Sequence, residues 1–470
     1  MSGLPNTSVS FSTADSKLKK LYNSAEEKCR GNVKSFDGTN VLVEGGGYEK
    51  IWLETQPMGG EMYAKRNLSV GLNNQLMFML NQREDGRIPG SIALENGRVV
   101  PQFNKFQGFC LPAPALDMYY LAGENREYLE LLKGCLEKFD SYLWKVRDSN
   151  GDGILESWCV YDTGEDNAVR YGDAPNAWTE ETPPRNSSVV PMASMDFMSY
   201  SYSARKTLEE IYKITGDENS ALGWRRKAED VSGVIRNKLW DGERGACFDI
   251  DKTGKKIDVL SHNTLRCMYW GSISEGMADR FVREHLLNPN EFMTNMPMPS
   301  VSVSDKAFRN INTNNWSGQC EGLTYQRAIR ALENYGWQRL YPLLAGKLFE
   351  AAGMEEVFTQ QFDPFTMRPS VEINAETGKP KDAYGPTMLA VMEYISRLYG
   401  VHISRGTVHF GALGGAACRY EQIWNNRSYA VESDGKRVKI LVGGKETGCY
   451  DCGQIIVTNL RGEKIREINL

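Results

Sequence analysis

Histidine is scarce: four occur in 470 residues, at 262, 285, 402 and 409. None has a spacing that would complete a zinc site with the single CxxC pair, Cys449 and Cys452, so those thiols are read as incidental and no metal site is expected there. The other eight cysteines show no spacing of a stapled scaffold and suit buried thiols in a reducing compartment. No apolar run approaches the roughly 20 residues that span a bilayer, and the first twenty residues carry no continuous apolar segment. The expectation is a soluble, cytoplasmic protein that makes no use of a membrane. Charge of one sign is also lacking. Sixty acidic and 55 basic residues leave a formal charge of -5 without long blocks, which excludes the basic footprint of a nucleic-acid binder. Neither GxGxxG nor GxxxxGK followed by Ser or Thr occurs, so a phosphate cradle is discounted. No motif repeats at a period of 20 to 50 residues, which argues against a solenoid.

What is present is helix after helix from about residue 15 to residue 400, punctuated by Gly, Pro, Asn and Asp. In residues 217–239, Trp224, Ala228, Val231, Ile235 and Leu239 recur at spacings of three and four, the stripe of an amphipathic helix. Similar patterns cover 69–82, 112–121, 125–144, 195–215, 275–286, 322–334, 337–352 and 386–399. After His402 the pattern changes to alternation, in TVHFGA, SYAVES, RVKILVGG and QIIVTNL, separated by turns such as SDGK. A helical domain over 1–400 and a small antiparallel β appendage over 401–470 are therefore expected.

Long connections in a helical domain usually carry function. The richest is residues 148–178, DSNGDGILESWCVYDTGEDNAVRYGDAPNAW, which gathers acids, aromatics and an arginine. Aromatic faces stack on sugar rings, while carboxylates and amides bond hydroxyls and one acid can donate a proton; a solvated acidic loop is the competing reading. Asp148, Asn150, Asp152 and Glu156 have the spacing of the front half of a calcium loop, but position 159 is Cys where an EF-hand needs Glu. An ordinary Asx and glycine turn is favoured over calcium, and no cofactor is expected. Residues 45–67 hold Trp52, Glu54, Gln56 and Glu61 in a glycine-rich setting suited to sugar contacts.

The run TGEDNAVRY resembles the SGxDNSPRW-type motif of glycoside hydrolase family 63 and its mannosylglycerate hydrolase and trehalase relatives. Other stretches resemble the same group in the same order. They are QREDGRIPG (82–90), QGFCLPAPALDMYYLAG (107–123), SMDFMSYSYSARKTLEEIYKITGD (194–217), KLWDGERGACFD (238–249), HLLNPNEFMTNMPMPSVS (285–302), NNWSGQCEGLTYQRAIRALENYG (314–336) and KDAYGPTMLAVMEYI (381–395). The resemblance implies an (α/α)6 toroid with an added β domain, cleaving glycosidic bonds with inversion. It makes Asp166 the general acid, with Asn167 and Arg170 shaping the subsite, although Ala168 and Val169 replace the usual Ser-Pro. Trp52, Trp178 and Trp316, with Gln56, Asn167 and Arg170, are expected to hold the sugar; Glu54, Glu61, Asp85, Arg87, Gln107 and Asp363 are further binding residues.

Inversion needs a second carboxylate to activate water, about 6.5 to 9.5 Å from the acid. In the family this is the Glu of an ExYNP or ExYDP motif, and the matching stretch here reads QQFDP, with Gln360 at the position of the base. An amide cannot deprotonate water. Either the base is another acid, Glu321, Asp363 or Glu372, or the position is inactivated, or the protein only binds sugar. A relocated base is favoured, with Glu321 foremost; a helix N-terminal Glu favoured by the helix dipole is the competing reading of that residue. The acid must stay protonated near neutrality, and Glu165 and Asp162 are the sequence neighbours expected to supply the repulsion. A lyase or epimerase on a helical toroid would need a His or Tyr acid-base pair, and no histidine falls in these loops. The partner expected is an oligosaccharide or small glycoside, with α-glucosidic or α-mannosidic bonds as first guesses.

Overall fold

The computed structural model describes residues 3–313, 316–375, 378 and 380–470, so the first two residues of the stretch at 314–336 lie outside the described residues. Twelve α-helices occur among these: α1 (Ser16–Gly31), α2 (Gln56–Tyr63), α3 (Leu68–Leu80), α4 (Pro112–Leu121), α5 (Arg126–Val146), α6 (Met195–Thr215), α7 (Glu218–Val234), α8 (Asn263–Trp270), α9 (Glu275–Phe281), α10 (Gly322–Asn334), α11 (Tyr341–Glu355) and α12 (Gly385–Tyr399). Local chemistry sets many of their starts. The side chains of Asp15, Asn67, Asn125, Ser194, Asp217 and Ser274 each accept a backbone N–H in the first turn, satisfying donors the helix leaves open. The stripe read over 217–239 is α7 continued by a π-helical turn at Ile235–Leu239.

The even-numbered helices touch in succession, α2 to α4, α6, α8, α10 and α12, and α12 returns to α2. Each odd-numbered helix packs against an even one: α3 on α2, α5 on α4, α7 on α6, α9 on α8, α11 on α10, and α1 on α12. The inner set is buried over most of its surface. Every residue of α2 and α8 is buried, as is all of α12 from Gly385 to Leu398. That explains why the sequence pattern named neither α2 nor α8, because in a short helix buried on every side, polar residues included, no exposed polar face alternates with a buried apolar one. The pattern also left α1 unnamed, although Leu18, Leu21, Tyr22, Ala25 and Cys29 form its buried stripe.

Two antiparallel sheets follow α12. One orders Val401–Ser404, Thr407–Ala412, Gln454–Asn459 and Lys464–Asn469; the other orders Thr7–Thr13, Cys418–Trp424, Arg427–Ser433, Arg437–Val442 and Lys445–Asp451. The appendage expected over 401–470 thus takes an edge strand from the start of the chain, with Thr7 opposite Trp424 and Thr13 opposite Cys418. Its inner strand Thr407–Ala412 packs on α12, and the Trp424 indole donates to the Leu121 carbonyl at 2.9 Å. All ten cysteines are free thiols. No helix among the described residues is long and apolar enough to cross a membrane.

Candidate active site

The loops that leave the helices converge on a cavity of about 200 Å3 lined by Glu44, Tyr48, Trp52, Glu54, Lys105, Gln107, Tyr161, Gly164, Asp166, Trp316, Gln360 and Tyr384. The acid loop enters it through two short 3-10 turns, Val160–Thr163 and Val169–Tyr171. Asp166 sits between them, half-buried. Its carbonyl accepts the Trp316 N–H at 3.2 Å. Ser317 Oγ donates to the Asn167 carbonyl at 2.7 Å and accepts the Val169 N–H at 3.0 Å. The acid loop and the loop of Trp316 are therefore stitched together, and Asn167 takes the left-handed conformation at φ 62 that the bend requires.

Gly164 is required by a close approach. A Cβ there would lie 2.0 Å from a carboxylate oxygen of Glu54, at a φ of 75, so only glycine lets Glu54 press against the peptide beside Asp166. Glu54 also accepts from Arg327 Nη2 at 2.7 Å. Burial, opposed by Arg327 and Arg266, pushes its carboxyl up to about 7, with Asp166 adding repulsion. Between pH 4.5 and 7 the native state holds a proton here that the unfolded chain has released, so this group's contribution to stability falls as pH rises through 7. The thermal midpoint is expected to drop between about pH 5 and 7 and to level off above, and Glu54→Gln to flatten that slope; an unchanged slope in the variant would show that Glu54 titrates normally.

Beside the acid, Glu44 and Glu321 are both pushed well above the carboxylate range, chiefly by burial. Charge adds to this, from Glu54 and then Asp166 for Glu44, and from Asp166 and then Glu54 for Glu321. Asp166 is thus one of the charges that raise Glu44, Glu54 and Glu321. The sequence neighbours Glu165 and Asp162 behave oppositely: burial would raise both, but Arg170 and Arg266 hold Glu165 well below its usual range and Arg147 lowers Asp162. Trp52 presents its ring to the cavity beneath the ammonium groups of Lys105 at 5.2 Å and Lys50 at 5.4 Å, and Lys105 also stands 5.3 Å from the Tyr161 ring.

Of the residues singled out from sequence, Asp166, Gln360, Trp52, Glu54, Gln107 and Trp316 meet in this cavity. The others lie elsewhere. Glu321 is wholly buried, and neither carboxylate oxygen has a hydrogen-bond partner among the described residues. Glu372 lines a small adjoining cavity with Gln360 and pairs with Lys381 at 2.6 Å. Gln56 accepts the Trp52 N–H at 2.7 Å and so holds the loop. Glu61 faces Arg330 at 3.7 Å, Asp85 pairs with Arg83, and Arg87 with Glu181 at 3.1 Å. Trp178 donates to the Thr182 carbonyl at 2.7 Å. Asp363 accepts from Asn310 at 2.6 Å and closes its own turn through the Phe365 and Thr366 N–H groups. Asn167 lies at the surface.

Arg170 is the largest correction to the sequence reading. It is buried beneath the acid loop, pairing with Glu165 and Asp249 and with Asp196 at 2.7 Å, so it holds the loop rather than lining the cavity. His262, distant in sequence, reaches Glu165 at 3.6 Å within the same buried layer. The residues of the calcium-like run bond to backbone: Asn150 accepts the Asp152 N–H at 3.0 Å, Asp152 that of Ile154 at 2.9 Å, and Asp148 that of Gly153 at 3.2 Å. No group of three metal-ligating side chains occurs among the described residues.

Glu44, Tyr48, Lys105, Tyr161 and Tyr384 were not singled out. A signal existed for the first two in the glycine run 45–47, because glycines cluster where backbone must pass closely. A Cβ on Gly45 would lie 2.3 Å from the Ala383 carbonyl.

This arrangement, loops of paired helices closing over acids and aromatics, defines the class of helical glycosidases, and the comparisons agree. The GH63 mannosylglycerate hydrolase from Thermus thermophilus, solved in complex with glucose, matches at a TM-score of 0.62 and 17% identity over 80% of this chain and 100% of that one. An alpha-L-rhamnosidase from Dictyoglumus thermophilum matches at 0.59 and 12% identity, over 93% of this chain and 44% of that one. Mannosylglycerate hydrolase of Rubrobacter radiotolerans is 27% identical over 165 residues, 35% of this chain and only 36% of that relative. A model of the mannosylglycerate hydrolase MGH1-like glycoside hydrolase domain matches residues 61–374, more than half of the chain. The chain belongs to this family of glycoside hydrolases.

Proposed function

We propose that the protein hydrolyses a glycosidic bond in an oligosaccharide or small glycoside with inversion at the anomeric carbon, α-glucosidic or α-mannosidic bonds being the first to test. The twelve helices are inferred to form the (α/α)6 toroid, an assignment supported by the closed succession of inner-helix contacts. The observation that carries the function is the cavity itself. At about 200 Å3 it falls below the roughly 300–1,000 Å3 of drug-sized ligand sites, a size suited to one sugar ring. It also sets a half-buried Asp166 among carboxylates, with Trp52 and Trp316 in its lining. Asp166 would give its proton to the leaving oxygen while a carboxylate on the other face takes one from water. Glucose in the Thermus relative supports a hexose.

The test is hydrolysis of a panel of α- and β-linked disaccharides and aryl glycosides, following the first-formed anomer by proton NMR. Release of the inverted anomer is expected; the retained anomer would overturn the mechanism. One observation favours a second reading, a sugar-binding protein without turnover: Gln360 lines the cavity and cannot act as a base. Sugar binding with no hydrolysis across the panel would select it.

A further inference from the structure

The base is missing from position 360, yet the same wall of the cavity carries another carboxylate. Tyr48 Oη donates to Gln360 Oε1 at 3.0 Å. Its ring stands 6.4 Å, edge to face, from that of Tyr384, whose hydroxyl donates to Glu44 Oε1 at 3.2 Å. Glu44 is thus two side chains away from Gln360 and opens on the same space. Its backbone is pinned, with its N–H on the Lys50 carbonyl at 3.1 Å and its carbonyl accepting the Gly385 N–H at 2.6 Å. The side chain therefore enters the cavity from a fixed origin.

Four other acids compete for the role, of which Glu372 is paired with Lys381 at 2.6 Å and Asp363 is engaged by Asn310 and its own turn, neither of them lining the cavity. Glu54 lines the cavity but is engaged by Arg327 at 2.7 Å and pressed against Gly164. Glu321 has no exposed surface and does not line the cavity, and a base must touch the water it activates. Glu44 lines the cavity and makes no ion pair among the described residues. We propose that Glu44 is the general base, having taken over the role that the family places at position 360. The proposal rests on the glycosidase reading and completes it.

In the reaction, the Glu44 carboxylate takes one proton from water as the water oxygen bonds to the anomeric carbon. The bond from that carbon to the leaving oxygen breaks on the opposite face, and its electron pair accepts the proton of Asp166. The products are the inverted sugar and the alcohol. Glu44 ends protonated and Asp166 ionised, and exchange with solvent restores both. Burial holds the Glu44 carboxyl above its usual range, so the ionised form that acts as base builds up as pH rises, and turnover is expected to rise with it.

The experiment uses the full chain and a glycoside that the unaltered protein hydrolyses. Glu44→Gln is expected to lower kcat by about 10^2- to 10^4-fold with KM and sugar binding changed less than about tenfold. Glu44→Ala is expected to regain turnover in azide, an anion that attacks without losing a proton, and to yield the inverted glycosyl azide. That product also demonstrates that the variant is folded. Retention of more than about a tenth of kcat by Glu44→Gln would overturn the assignment while leaving the glycosidase reading standing, as would azide rescue seen in Glu321→Ala and absent from Glu44→Ala. If the unaltered protein hydrolyses nothing on the panel, the glycosidase reading itself fails, and the base assignment with it.

Discussion

Asp166→Asn is expected to lower turnover by about 10^2- to 10^4-fold on glycosides with alkyl leaving groups, the range a positioned proton donor contributes. The loss should shrink toward unity for aryl glycosides whose phenolate leaves unaided. That dependence identifies a general acid, because a residue that merely positions the sugar would cost the same on every leaving group. Asn is close to Asp in shape, and Asp166 takes part in loop structure through its carbonyl, which accepts from Trp316. The substitution therefore leaves the stitch between the two loops intact. The measurement is kcat/KM across leaving groups of graded acidity, with sugar affinity by calorimetry as the control. A uniform loss would move the proton donor to another carboxylate of the cavity, Glu54 or Glu44.

The second large effect lies beneath the loop. Arg170→Met is expected to cost about 3–5 kcal/mol of folding stability, the typical cost of breaking a buried ion pair from one side. Arg170 is 5% exposed and pairs with Glu165, Asp196 and Asp249. Arg266 reaches Glu165 and Asp196 at 3.0 Å each, and Asn263 donates to the same two carboxylates at 3.0 and 3.2 Å. Two arginines thus serve three buried acids, and removing one leaves Asp249 without a cation partner among the described residues. Arg170→Lys is expected to recover little, because one ammonium cannot replace a planar fork. Urea unfolding near neutral pH measures the loss, and a change under about 1 kcal/mol would show that Arg266 alone suffices. Glu165 precedes Asp166 directly, so activity is expected to fall together with stability.

Much of the architecture was legible because periodicity is a local property. Long helices with one buried stripe, such as α5 and α7, and the alternating strands after residue 400 announce themselves through side-chain spacing. The motif around Asp166 was equally local, since an acid flanked by turn residues resembles a family whatever surrounds it. The fully buried α2 and α8 left no period to read. The edge strand Thr7–Thr13 pairs with Cys418–Trp424 at the far end of the chain, and nothing near it in sequence records the pairing.

Function divides along the same line. The sequence by itself pointed to a helical glycosidase, to Asp166 as the candidate acid, and to an amide, Gln360, where the resemblance places the base, because residue identity and short spacing carry each of these readings. Only the tertiary structure decided which charges face one another. It turned Arg170 and Glu165 inward as a buried network and brought Glu44 and Tyr384, 340 positions apart, into one hydrogen bond on the cavity wall. The reason is that charge and burial act through space over a few ångströms, and the fold alone sets those distances.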